Sequence, residues 1–229
     1  MPRTEAAARA LAMRETIARL MARSKREIPH YYLTATVDMS EALEWMRTQN
    51  ATLPLSERLV PAALMLRARR RSRSSSTPAE RLLGRRRLPA RQRHPPRRRH
   101  LLRGGGLVAP AIHDADRLSV AETMAAMRDL VTRARAGRLR GSEMSDPTLT
   151  VTNLGEQGVE SVYGVIYPPQ VALVGFGRVA ERPWAVAGLL GVRPLTVLTL
   201  AADHRATDGF TGGRFLAAVE DLLRHPDQL

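Results

Sequence analysis

The heptapeptide Asp203-His204-Arg205-Ala206-Thr207-Asp208-Gly209 holds the residue types best suited to moving a proton. It follows an apolar run, Leu195-Thr196-Val197-Leu198-Thr199-Leu200-Ala201-Ala202, that reads as a buried strand. Three successive charged or titratable side chains at the end of such a strand are costly to bury unless they are paired or do chemistry. Histidine changes charge near neutral pH, which suits His204 to take up and return a proton. The plainer reading is a polar turn that caps the next helix, with Asp208 and Gly209 as turn residues. Residue chemistry alone leaves both open.

The 229 residues suffice for one substantial core or two small ones. With no cysteine there is no disulfide framework and no cysteine-ligated metal, so any thiol chemistry must use a thiol brought from elsewhere. The six histidines are scattered and none forms an HExxH pair, so no metal site is expected. No apolar run is long enough to span a bilayer, and no signal-peptide core is visible. The stretch Thr4–Met21 is amphipathic and bears arginines like a transit peptide, but Glu5 and Glu15 oppose that reading. A cytoplasmic protein is expected.

The formal charge of +14 suggests nucleic-acid binding, but its distribution does not. Arg67 to Arg103 carries 15 arginines and a single acid, Glu80, and the rest of the chain is neutral. This stretch has no Val, Ile, Phe, Tyr or Trp, no strand alternation and no lasting helical stripe. It reads as basic, low-complexity and without regular structure. A nucleic-acid arm would want interleaved aromatics, and the stretch has neither aromatics nor lysine. A linker of that length inside a compact domain is uncommon. The reading that fits the composition best is a frameshift. Outside the stretch the chain uses arginine and one lysine, Lys25, as a GC-rich gene would, and such a gene read out of frame yields Arg, Pro, Ala, Gly, Ser and His.

The elements that must position His204 are legible on both sides. A helix capped by Thr4 runs to about Lys25, with Leu11, Ile17, Leu20 and Met21 on one face, and Ile28-Pro29 stops it. Tyr31 to Asp38 alternates as a half-buried strand. Ser40 caps a second helix, and Leu55–Leu66 begins a third. Gly104-Gly105-Gly106 leads into a short strand, Leu107 to Ile112, with no helix-opening phosphate motif after it. Ser119–Ala136 is a strong amphipathic helix whose methionines, at helical spacing, belong to the core, and Gly137 ends it. Strands follow at Leu149–Leu154 and Gln170–Gly177, then the strand leading to His204, and a helix over Gly212–Leu223. Interleaved helices and strands indicate an α/β domain with a mixed sheet.

Five ordered segments carry a family resemblance: Met21-Ala22-Arg23-Ser24 with Ile28-Pro29-His30; Leu107 to Asp116; Thr150-Val151-Thr152-Asn153-Leu154-Gly155; Tyr167-Pro168-Pro169-Gln170; and the heptapeptide. Over about residues 5–66 and 102–226 the chain resembles the catalytic domain of the dihydrolipoyl acyltransferase component of 2-oxo acid dehydrogenase complexes. The resemblance implies a chloramphenicol-acetyltransferase-like fold, a two-layer mixed sheet with helices, that forms homotrimers with active sites between subunits. It implies acyl transfer between dihydrolipoamide and coenzyme A, with no metal. His204 would be the general base on the thiol. Thr152 stands where the family usually has a serine whose hydroxyl stabilises the oxyanion. Asp208 matches an Asp or Asn that helps orient the site, while Asp203 and Arg205 make ion pairs that hold the loop. His204 and Thr152 of one site come from neighbouring subunits.

The expected organisation is one catalytic domain over 1–229, interrupted by 67–103, with no lipoyl or peripheral-subunit-binding domain before it. A lipoyl group would then arrive on another chain, as part of partnership with 2-oxo acid dehydrogenase complex subunits. In the family the region between Leu66 and Leu102 supplies a helix end and strands, which a shifted frame would lose. Among other histidines, His30 reads as packing or interface, His113 and His225 as a surface turn and a helix end, and His94 and His100 fall in the anomalous stretch. Three alternatives stand beside acyl transfer to a lipoyl thiol. They are a non-catalytic trimeric scaffold or inactive copy, an acetyl-CoA-dependent transferase to a small acceptor, and nucleic-acid binding through Arg67–Arg103.

Overall fold

The computed structural model describes residues 2–71, 97–98, 100–102, 106–108, 110–115, 117–145 and 149–229. A mixed sheet lies at its centre, in the order β1 (His30–Asp38), β8 (Leu189–Asp203), β6 (Ala172–Phe176), β5 (Thr150–Asn153) and β2 (Arg97–Arg98), with β7 (Ala180–Val186) also paired to β8. β1 and β8 run antiparallel through a full register from His30 opposite Asp203 to Asp38 opposite Leu195. β8 is antiparallel to β6, and β6 is parallel to β5. A separate ribbon joins β3 (His100–Leu102) to β4 (Gly106–Val108).

The second part of β8, from Leu195 to Asp203, is largely buried on both faces because each has a cover. Leu198, Leu200 and Ala202 point into the main core with Phe215, Leu216 and Val219 of helix α6 (Gly209–Arg224). On the other face Ala201 joins Leu173, Ile28 and Ile166 in a smaller cluster. There the chain between β5 and β6 crosses the sheet, and Thr199 Oγ1 donates to the Val162 carbonyl. This accounts for the near-continuous apolar run of β8 where one-sided burial would have given alternation. α6 lies on β1 and touches α2 (Ser40–Ala51) and α3 (Pro61–Arg71), and α3 also packs on α4 (Val120–Arg135).

Several boundaries differ from the sequence reading. The third helix starts at Pro61 rather than Leu55, and Leu55 is exposed. Proline suits the first helical turn because its missing N–H would have no partner there. At α2 the cap is Met39, and Asp38 Oδ1 accepts hydrogen bonds from the Ser40 amide and hydroxyl. Ser119 does cap α4, in a reciprocal capping box with Glu122. The hairpin of β7 with the first part of β8 was not legible. It turns at Ala187 and Gly188, both at positive φ, and its apolar residues do not alternate with polar ones. The arginine-rich stretch, read as lacking regular structure, contributes the end of α3, β2 and β3; residues 72–96, 99 and 103 lie outside the described residues. α3 continues past Leu66 because Ala68, one turn beyond the buried Leu64, is itself buried.

An ion pair between a partly exposed Arg133 and a buried Glu143 ties α4 to the short helix α5 (Gly141–Ser145). Arg133 Nη1 donates to Glu143 Oε2 at 2.7 Å, and the Arg140 amide donates to the same oxygen at 2.8 Å. The hydrogen bond from Arg133 leads the effects that hold the Glu143 carboxyl below its ordinary range, against a desolvation that would raise it. Since the folded pKa is the depressed one, the stabilisation is full above the unfolded pKa of about 4.3 and is lost as pH falls through the folded value. Glu143→Gln is expected to lower stability at pH 7 by about 2 kcal/mol and to flatten the loss below about pH 4.3, measured by urea unfolding across pH.

Candidate active site

Asp203 ends β8 and anchors the turn that carries His204. Its amide donates to the Val171 carbonyl, and its own carbonyl accepts from the amides of Ala206 and Thr207, both at 3.0 Å. Its buried carboxylate accepts from the Arg205 amide at 2.9 Å and from Arg205 Nη2 at 2.7 Å. Burial alone would raise the Asp203 carboxyl, but the hydrogen bonds from Arg205 outweigh it and hold the group below its usual range. The sequence marks burial of all three polar side chains here as costly unless they are paired or do chemistry. Only Asp203 is buried; His204 and Arg205 are exposed, because the turn lifts them off the sheet.

The His204 amide donates to the Pro29 carbonyl at 3.0 Å, which fastens the turn to the start of β1. Among the described residues no hydrogen bond is made by its imidazole, whose closest aromatic contact is the Tyr31 ring, edge-on at 5.2 Å. Tyr31 was legible only as a strand residue. Its hydroxyl donates to the Asp208 carbonyl at 2.8 Å and lies 2.8 Å from Thr207 Oγ1, so it holds the far end of the loop after His204. Desolvation leads the effects that raise the phenol pKa, which keeps it a neutral donor. Gly212 makes the approach possible: a Cβ there would stand 2.8 Å from the Tyr31 hydroxyl and 2.8 Å from Leu33 Cδ1. No sequence signal marks Tyr31; the β1–β8 register alone sets it beside the loop. Tyr31→Phe keeps the ring but frees the loop, and is expected to lower kcat about 3–10-fold with KM little changed, as steady-state kinetics would show.

Asp208 is the N-cap of α6. Its Oδ1 accepts from the Thr211 amide at 2.8 Å, and this bond leads the effects that lower its carboxyl pKa. The polar-turn reading of Asp208 and Gly209 therefore holds for the backbone, and it coexists with presentation of His204. Among the described residues the Asp208 carboxylate makes no hydrogen bond to His204. His30 is fully engaged: its Nδ1 lies 2.8 Å from the Ile28 carbonyl and its Nε2 accepts from the Ile166 amide at 3.0 Å. Those partners assign a neutral ring with the proton on Nδ1, which suits packing and leaves no site for a transferred proton. His225 sits at the end of α6 against Asp221, and His113 is exposed.

Thr152 is buried in β5, far from His204 of the same chain. It pairs with Gly175, and Gly175 pairs with Thr199, so Thr152 lies level with Thr199 two strands away. Asp203 is a further four residues along β8, so Thr152 and the His204 turn are separated by about 13 Å along the strands and about 10 Å across them. Reacting groups need contact at about 3–3.5 Å. The two residues cannot share a site within one chain. Among the described residues there is no group of His, Asp or Glu able to hold a metal, and no helix long and apolar enough to cross a membrane.

Comparison with known proteins gives this mixed sheet, with its exposed histidine on a tied-down turn, a family. Residues 2–71 and 103–229 match the 2-oxoacid dehydrogenases acyltransferase (catalytic domain) family, to which the chain belongs. It is 31% identical over 222 residues to the dihydrolipoyllysine-residue acetyltransferase component of the pyruvate dehydrogenase complex of Zymomonas mobilis, covering 93% of this chain and 49% of that protein. The chain thus spans about half the length of that relative. Among solved structures, a probable dihydrolipoamide acetyltransferase from Listeria monocytogenes superposes with a TM-score of 0.82 at 26% identity, covering 93% of this chain and 91% of the other. Chloramphenicol acetyltransferase, at 12% identity and a TM-score of 0.50, covers 90% of this chain and 94% of its own, a likeness of fold alone. The expected fold class is therefore the observed one.

Proposed function

We propose that the chain transfers an acyl group between coenzyme A and a dihydrolipoamide thiol carried by another protein, at a site completed by a neighbouring copy of itself. The observation that carries this reading is the presentation of His204: an exposed imidazole free of hydrogen bonds among the described residues, on a turn whose backbone is held by Pro29 and Asp203. His204 takes the thiol proton, and the thiolate sulfur attacks the thioester carbonyl carbon. The carbonyl oxygen becomes an oxyanion that accepts a hydrogen bond from the hydroxyl of Thr152 of the neighbouring copy. The intermediate collapses, the carbon–sulfur bond of the original thioester breaks, and His204 gives the proton to the thiolate that departs from it. The distance between Thr152 and His204 within one chain supports a shared site. So does the β7–β8 hairpin, whose Leu189, Leu190 and Val192 are more than 60% exposed, beside the partly exposed Trp184 and Val186, an apolar surface suited to a partner subunit. A closed homotrimer satisfies both.

Co-refolding His204→Ala with Thr152→Val tests the shared site. If each site takes one residue from each of two copies, an equal mixture regains about a quarter of wild-type activity, the chance of pairing two intact residues in a closed ring. A mixture as inactive as its parents, in an assay with acyl-CoA and dihydrolipoamide, would show that the site is not shared.

A further inference from the structure

β5 is a buried strand paired on one side with the short strand β2. Thr150, Val151 and Thr152 are each at most 4% exposed, and among the described residues the pairing on the side away from β6 is that of Thr150 and Val151 with Arg97 and Arg98. Beside Thr150, the buried amide Nε2 of Gln170 finds no hydrogen-bond partner among the described residues, although its Oε1 accepts from Thr150 Oγ1. Unpaired polar groups on a buried strand are rare and costly. The family match is interrupted at the same place, ending at residue 71 and resuming at 103.

We propose that residues 72–102 are the out-of-frame translation of a segment which, read one base downstream, codes a strand suited to pair with β5. The genetic code selects this frame without reference to any relative. With arginine as CGN and leucine as CTN, every residue from Pro78 to Arg103 has codons beginning with C or G. Reading one base downstream moves that base into the third codon position, where a GC-rich gene concentrates C and G. From Arg91 to Arg103 the base is always C, so this reading contains no stop, lysine, glutamate or glutamine.

The two possible shifts have opposite consequences. Two bases downstream, the C falls in the middle of every triplet between Arg91 and Arg103, and only Ser, Pro, Thr and Ala result. One base downstream, Arg97-Arg98-Arg99 becomes three residues drawn from Val, Ala, Gly and Asp. His100 becomes Ile or Thr, and Leu101 becomes Phe, Ser, Tyr or Cys. His94 likewise becomes Ile or Thr, and the Leu82-Leu83-Gly84 triplets admit Phe, Tyr and Trp, residue types this stretch lacks. These β-branched and aromatic types are the ones that fill a half-buried or buried strand. The register places the first two triplets of the Arg97–Arg99 run, which admit valine, beside Thr150 and Val151.

The gene itself provides the first test, and neither test depends on the acyltransfer reading. The expected DNA has CAT at His94 and His100, giving isoleucine one base downstream, and CGT, CGC or CGG at Arg97–Arg99, giving Val, Ala or Gly. The full chain with the frame restored across 72–102 should then melt higher than the given chain. Its amide hydrogen exchange along Thr150–Asn153 should be slower by about tenfold or more. A TAG triplet across Leu83-Gly84, CGA codons that give aspartate through the run, or a restored chain no more stable than the given one would overturn the proposal.

Discussion

Replacing His204 by alanine is expected to lower kcat for acyl transfer between coenzyme A and dihydrolipoamide by about 10²–10⁴-fold, the usual contribution of a positioned general base. The variant should fold as the wild type does. The His204 side chain is exposed and its ring has no hydrogen bond among the described residues, so truncation leaves no cavity and no stranded partner. Surface changes of that kind stay within about 0.5 kcal/mol. The turn is held instead by the His204 amide on Pro29 and by the Asp203–Arg205 pair, which the substitution leaves in place. Single-turnover thiol release, beside a thermal melt of the same sample, separates the two effects. Equal rates for both proteins would remove His204 from the mechanism.

The second large effect belongs to Thr152. Thr152→Val keeps the shape and β-branching that a buried strand position favours, but removes the hydroxyl. Loss of one oxyanion donor costs about 10²–10³ in kcat, because the group acts where charge develops and not on the ground state. KM should therefore stay near its wild-type value. Thr152→Ser restores the donor without the methyl and is expected to recover most of the rate. A valine variant as active as the serine one would show that the hydroxyl plays no part. The contrast separates chemistry from packing, since both variants disturb the strand while only one lacks the donor.

Much of this molecule is legible in its residues. The Ser119 capping box, the strand opposite β8 and the helix after Asp208 follow from local pattern, because caps and periodicity depend on neighbours a few residues away. The arginine-rich stretch is legible as foreign by composition, and the family match breaks at the same residues. The β7–β8 hairpin escaped because its apolar residues do not alternate with polar ones, and Ala187 lacks the usual turn signature at positive φ. Tyr31 escaped because its role depends on a residue far along the chain.

The sequence by itself determined that His204 ends a buried strand, that Thr152 lies in another, and that no cysteine of this chain can supply the thiol. Which side chains meet was decided only by the tertiary structure. The register of β1 against β8 brings Tyr31 to the His204 loop, and Gly212 leaves room for its hydroxyl. The register through β6 sets Thr152 level with Thr199 and holds it away from His204 of its own chain. A strand's pattern specifies which residues share a face, but the pairing between strands distant in sequence sets what stands beside them. That pairing keeps Thr152 and His204 of one chain apart, which is the geometric ground for proposing a site shared between two copies.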